Sequence, residues 1–150
     1  MATLEPADPD FEARVRRSFA RQPFTTSLGA VLLEVSPGQV VVGLPHHRGL
    51  TQQHGYLHGG VSTSIADVAC GYAALTLMPP GAAVLAVEFK VNLLAPGLGE
   101  RFTAVGRVVK AGRTVMVCAG EVVAHRGGRD TPVALMQATM MVVRDRGIED

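Results

Sequence analysis

The amino-acid sequence predicts an α+β fold in which one antiparallel β-sheet wraps a single long buried helix. Three observations carry that expectation. Residues 61–78 are small and apolar nearly all round and are closed by Pro79-Pro80-Gly81, the pattern of a helix buried on every side. Four β-type runs follow, separated by turns too short for parallel crossovers. Before the helix, Ser36-Pro37-Gly38 divides a Val- and Leu-rich stretch into the two arms of a hairpin.

The elements follow in chain order. Residues up to about Pro6 read as a loose end. Asp8 then offers an N-cap, Pro9 fits the first helical position, and Phe11, Val15 and Phe19 recur on one face, predicting a short amphipathic helix over about 9–21 that Pro23 ends. Residues 28–35 and 39–44 form the hairpin. Residues 45–60 lack a consistent period and hold four of the five histidines, so they read as an irregular loop. The central helix spans about 60–78. After it, Val87, Phe89, Val91 and Leu93 oppose Glu88, Lys90 and Asn92, and Phe102, Ala104, Gly106 and Val108 alternate with Thr103, Val105, Arg107 and Val109. Residues 114–124 are continuous β-favouring chain, and Ala134, Met136, Ala138, Met140 and Val142 share one face of the last strand. Short punctuation makes these four strands a meander of antiparallel neighbours.

Composition bounds the function. The chain has 150 residues, 47% of them hydrophobic, which suits one domain over residues 1–150 and excludes disorder. With 14 basic and 13 acidic side chains it lacks the positive field that phosphate binding requires, so no nucleic-acid partner is expected. The run over 61–78 contains Asp67, whose burial in a bilayer costs about 2.5–3.5 kcal/mol, so no membrane partner is expected either. Cys70 and Cys118 lie in apolar runs with no electropositive neighbour and no secretory opening precedes them, which predicts inert buried thiols and a cytoplasmic protein. His46, His47, His54 and His58 show no metal-ligand spacing. Neither a metal nor another cofactor is expected.

One feature points to chemistry. From Gly49 through Val87, Asp67 is the one formally charged residue. A lone carboxylate on a buried helix is protonated, paired or used. Before that helix stands His58-Gly59-Gly60, where two glycines leave backbone N–H groups open at the positive end of the helix dipole, a setting suited to a developing oxyanion. Gly59 and Asp67 are eight residues apart, about 12 Å along a helix axis at the usual rise. One helix therefore cannot bring both to one carbonyl, and a shared site requires a second, antiparallel copy from a two-fold dimer.

The order Gln52, Gly55, His58-Gly59-Gly60, Asp67, Ala69, Gly71, then Val87-Glu88-Phe89-Lys90-Val91-Asn92 and Ala95-Pro96-Gly97, resembles the PaaI-type branch of the hot-dog-fold acyl-CoA thioesterases, from Gly29 to the last strand. The resemblance implies the hot-dog fold and hydrolysis of an acyl-CoA thioester in a homodimer or a dimer of dimers. It implies that Asp67 attacks the thioester carbonyl or activates water, and that the Gly59 N–H polarises the carbonyl from the other subunit. By the same resemblance Gln52 lies near the reacting water and thioester, and His58 is the histidine before the glycine pair. Some members carry hydroxyl residues where this chain has Gly71 and Ala86; Ser62, Thr63 and Ser64 are the candidates to replace them.

For the substrate, Gly60, Val61, Ile65 and Val68 are candidate lining residues, and Lys90, Lys110 and Arg113 are candidate partners for CoA phosphates. Two further readings use the same scaffold: an acyl-thioester hydratase, whose His/Asp segment is not visible here, and a non-catalytic acyl-CoA binding module.

Overall fold

A computed structural model describes residues 4–144, 146–148 and 150. Two short helices, α1 (Phe11–Arg21) and α2 (Pro23–Leu28), precede the hairpin strands β1 (Val31–Ser36) and β2 (Gln39–Pro45). The helix α3 (Gly59–Leu75) follows, and then β3 (Ala83–Leu93), β4 (Arg101–Lys110), β5 (Val115–Arg126) and β6 (Arg129–Val143). All six strands join one antiparallel sheet in the order β1-β2-β4-β5-β6-β3, with α3 packed on its concave side. This is the hot-dog architecture.

Alternation explains the packing on β4 and β6. Phe102, Ala104 and Val108 of β4, and Ala134, Met136, Ala138, Met140 and Val142 of β6, are buried against Ile65, Ala69 and Ala73 of α3 in one apolar core. Gly106 makes the closest approach: a Cβ there would stand 2.2 Å from the carbonyl carbon of Ala69 and 2.5 Å from the nitrogen of Cys70. Only glycine lets the sheet seat the helix at that height, one turn from Asp67.

Several expectations need correction. The first helix starts at Phe11, not Pro9, because the Asp8 carboxylate accepts from the Asp10 N–H in a turn outside it. Pro23 ends that helix and also opens α2, where its missing N–H costs nothing at the first helical position, so β1 begins at Val31. The central helix ends at Leu75, three residues short of the expected boundary, where a side chain binds its last carbonyl and two in the turn that follows. Arg14 of α1 donates to the oxygens of Leu75 (2.9 Å), Met78 (2.8 Å) and Pro79 (2.7 Å) and pairs with Asp8 at 3.2 Å. A cation at a helix C-terminus also complements the dipole.

The strands are not a simple meander. β3 pairs with β6 and β4 with β2, so the chain crosses the sheet between β3 and β4. This leaves β3 as an edge strand with Leu85, Val87, Phe89 and Leu93 between 45% and 59% exposed. The apolar face read for this strand is not buried by its own chain. Nor is α3 covered on all sides: Gly60, Ser64, Asp67, Val68 and Gly71 form a partly open stripe on the side away from the sheet.

Candidate active site

Asp67 sits in the third turn of α3, on that open stripe. Its Oδ1 is buried and has no hydrogen-bond partner among the described residues. Burial pushes the carboxyl above the usual carboxylate range, and no neighbouring cation offsets it. It opens onto a cavity of about 130 Å³ lined also by Gln22, Val68, Gly71, Tyr72, Val84, Ala86 and Asp150. Gly71 and Ala86 thus face the same space as the carboxylate. Ser62, Thr63 and Ser64 do not replace the absent hydroxyls there: Thr63 and Ser64 bond back to the Gly59 and Gly60 carbonyls at 2.8 and 2.7 Å, and Ser62 lines a different cavity.

The N-terminus of α3 separates the two glycines chemically. His58 is the N-cap, and its Nδ1 accepts the Gly60 N–H at 2.9 Å. The Gly59 N–H donates to no protein group among the described residues. Of the HGG segment, then, Gly59 offers the open amide, while Gly60 is occupied and His58 is the residue that occupies it. The His58 ring is exposed and serves as a cap.

The loop before the helix is pinned rather than loose. Leu57 N–H donates to the Gly97 oxygen and His58 N–H to the Leu50 oxygen, both at 2.9 Å, so the Ala95-Pro96-Gly97 turn holds the HGG segment from below. Gln52 belongs to the same assembly. Its Oε1 accepts from the His54 N–H, and it lines a cavity of about 420 Å³ with Tyr56, Gly59, Ser62, Leu93 and Val133. Gln52 and Gly59 therefore share one cavity and Asp67 occupies another. Within one chain the expected machinery lies in two halves.

The remaining candidates scatter. Ile65 is fully buried in the core and does not line the site; Val61 packs at the core margin, and of the three apolar candidates Val68 lines the Asp67 cavity. Lys90, Lys110 and Arg113 are exposed, and none lines either half-site. His47 caps the Gly49 N–H at 3.0 Å. No group of three His, Cys, Asp or Glu side chains is placed to hold a metal ion among the described residues. Cys70 and Cys118 are free and buried, and burial pushes the Cys118 thiol to about 12 and the Cys70 thiol further up, which leaves both unreactive. No described helix is long and apolar enough to cross a membrane. Sequence reading missed Tyr72, on α3 itself, and Gln22 and Asp150, which reach the cavity from distant segments and carry no local motif.

Comparison with known proteins places the chain in a family. The model of a family described as the thioesterase superfamily matches residues 54–130, a span containing both the HGG segment and Asp67. The chain belongs to the thioesterase superfamily. A thioesterase family protein of Silicibacter pomeroyi is 48% identical, with a TM-score of 0.88 over 89% of this chain and 98% of that one. The E. coli PaaI protein, from the phenylacetic acid degradation operon, shares the fold at TM-score 0.81 and 22% identity, over 91% of this chain and 96% of its own. Among relatives, a provisionally named esterase of Saccharolobus solfataricus is 36% identical over 60% of this chain, which spans 64% of that protein's length. A 1,4-dihydroxy-2-naphthoyl-CoA hydrolase of Listeria monocytogenes is 31% identical over 61% of this chain and 74% of its own. Membership in this superfamily and the hydrolase-named relative support acyl-thioester hydrolysis in general.

Proposed function

We propose that this thioesterase hydrolyses an acyl-CoA to the free acid and CoA in composite sites formed by two copies of the chain. The observation that carries the reading is the division within α3: an unpartnered, partly buried Asp67 carboxylate and an open Gly59 N–H on one rigid helix, eight residues apart. An antiparallel second helix brings the Gly59 of one protomer to the Asp67 of the other. The Listeria relative named as a CoA-thioester hydrolase supports CoA as the leaving group.

The chemistry needs no more than these groups. As a general base, Asp67 takes a proton from water, and the water oxygen attacks the carbonyl carbon. The partner's Gly59 N–H stabilises the negative charge that forms on the carbonyl oxygen. The C–S bond then breaks and the thiolate of CoA takes the proton. As a nucleophile, the same carboxylate would form an anhydride that water opens. Gln52, beside Gly59, lies where it can hold the thioester or the water from the partner's side. Lys90, on the edge strand, with Lys110 and Arg113 are the exposed cations assigned to CoA phosphates.

The dimer reading has its own support. β3 is an eleven-residue edge strand with an apolar, half-exposed surface, the kind of edge that a monomer covers or blunts. A second β3 continues the sheet and closes the open stripe of α3 at the same time. A dimer of such dimers is the larger assembly that the family resemblance implies, and free buried thiols fit a reducing cytoplasm.

Replacing Asp67 with Asn tests the assignment. Thiol release across a panel of aryl and aliphatic acyl-CoAs is expected to fall by orders of magnitude, with dimerisation unchanged. Unaltered turnover would reject the role of Asp67. Binding without turnover in the wild-type dimer would make the protein an acyl-CoA binding module.

A further inference from the structure

Of the three residues with a buried polar atom that lacks a hydrogen-bond partner among the described residues, two line one cavity: Asp67, where the atom is Oδ1, and Gln22, where it is Oε1. Asp67 is explained by the reaction. Gln22 is not. It stands at the junction of α1 and α2, where its backbone oxygen accepts from the Thr25 and Thr26 hydroxyls, and the residue lines the cavity with its Oε1 buried in the wall. A buried acceptor left without a donor is destabilising, so a ligand that supplies the donor recovers that cost.

The other walls define what such a ligand looks like. Val68, Val84, Ala86 and Met140 are apolar, and Gly71 adds no side chain. The Tyr72 hydroxyl is engaged with Ser18 at 3.2 Å, so it does not serve Gln22. Asp150 also lines the cavity, its carboxylate accepting from Ser18 (2.9 Å) and from the Val84 N–H (2.8 Å). Among the described residues two carboxylates and no basic side chain line the space, which therefore repels an anionic tail. Its volume of about 130 Å³ is close to the roughly 150 Å³ that accepts one benzene ring.

We infer that Gln22 is a specificity-determining residue: the cavity beside Asp67 takes the acyl tail, and Gln22 selects short, uncharged tails that end in a hydroxyl. A hydroxyl both donates and accepts, so it satisfies the Gln22 amide in either orientation of that group. The inference rests on the thioesterase reading of the same site, and the test separates the two.

The probes are linear acyl-CoAs of increasing length, each as a matched triplet ending in methyl, hydroxymethyl or carboxylate. At the length that reaches Gln22, the wild-type protein should prefer the hydroxymethyl tail over methyl by roughly ten- to a hundred-fold in kcat/KM, and reject carboxylate. Gln22→Met, similar in length but apolar, should collapse that ratio. Gln22→Asn withdraws the amide by one methylene and should move the preferred hydroxyl tail to the next longer acyl chain, a change that general damage to the fold does not produce. Circular dichroism checks that both variants fold. Turnover with no hydroxyl preference, or an equal loss on all tails in Gln22→Met, overturns the inference; the equal loss would place Gln22 on the attacking water. The same triplets titrated into Asp67→Asn protein by calorimetry give an independent reading. Tail preference in binding without wild-type turnover would uphold the pocket and defeat the hydrolase, and absence of preference in both assays would defeat the pocket.

Discussion

In the proposed mechanism the chemistry rests on Asp67, a carboxyl that burial makes harder to ionise. Because the folded pKa lies above the usual value of 3.8, the folded protein holds that proton more tightly than the unfolded chain. The sign follows directly: this group makes stability fall as pH rises from the unfolded pKa through the folded one, and the loss is complete above it. Activity runs the other way, since base or nucleophile must be ionised. The rate is therefore expected to rise with pH through the raised Asp67 pKa, while Asp67→Asn melts no lower than wild type at neutral pH. Calorimetric melts and a kcat/KM profile across the acidic range check both, and a variant markedly less stable at neutral pH would contradict the assignment of strain to this carboxyl. Asp67 and Gly59 could be proposed from the sequence because a lone charge on an apolar helix and a glycine pair before it each have a chemical reason, and Gln52 only through the family resemblance. Gln22 could not, because nothing near residue 22 announces a cavity built mainly from α3, β3 and β6.

At the scale of elements, the composition of α3 predicted burial on every side and did not show its open stripe, whereas alternation in β4 and β6 was sufficient to place the core, since a period of two fixes which residues share a face. β3 was misread for the same reason. Its alternation specifies a face to be buried but not which chain buries it. Helix ends were also imprecise, because the C-terminus of α3 is set by Arg14 from a distant element, and no local residue encodes that contact. This yields a stability prediction. Arg14 and Asp8 are both buried, with side-chain exposures of 5% and 9%, and Arg14→Ala leaves the Asp8 carboxylate without its cation and removes a donor from three carbonyls, of which those of Leu75 and Pro79 keep a backbone N–H. Breaking a buried pair of this kind costs about 3 kcal/mol, which for a domain of this size lowers Tm by about 10 °C. A shift of a degree or two in differential scanning calorimetry would show that the N-terminal helix is not anchored through this side chain.

For the molecule as a whole, the fold leaves three features unfinished in a single chain: an apolar edge strand, an open stripe on the central helix, and a site in two halves. A two-fold dimer resolves all three at once, and the claim that Asp67 works with the Gly59 amide of the other protomer is tested most directly by mixing inactive variants. Asp67→Asn removes the carboxylate. Gly59→Pro removes the amide at a position that tolerates it, because Gly59 is the first helical residue and His58 before it is already extended, at φ −62° and ψ 135°. Gly59→Ala, which crowds the same Leu93 methyl but keeps the N–H, is the control. After subunit exchange, half of the dimers carry one intact site, so the mixture should recover about one quarter of wild-type thiol release. No recovery in a mixture shown to contain heterodimers would contradict the shared site.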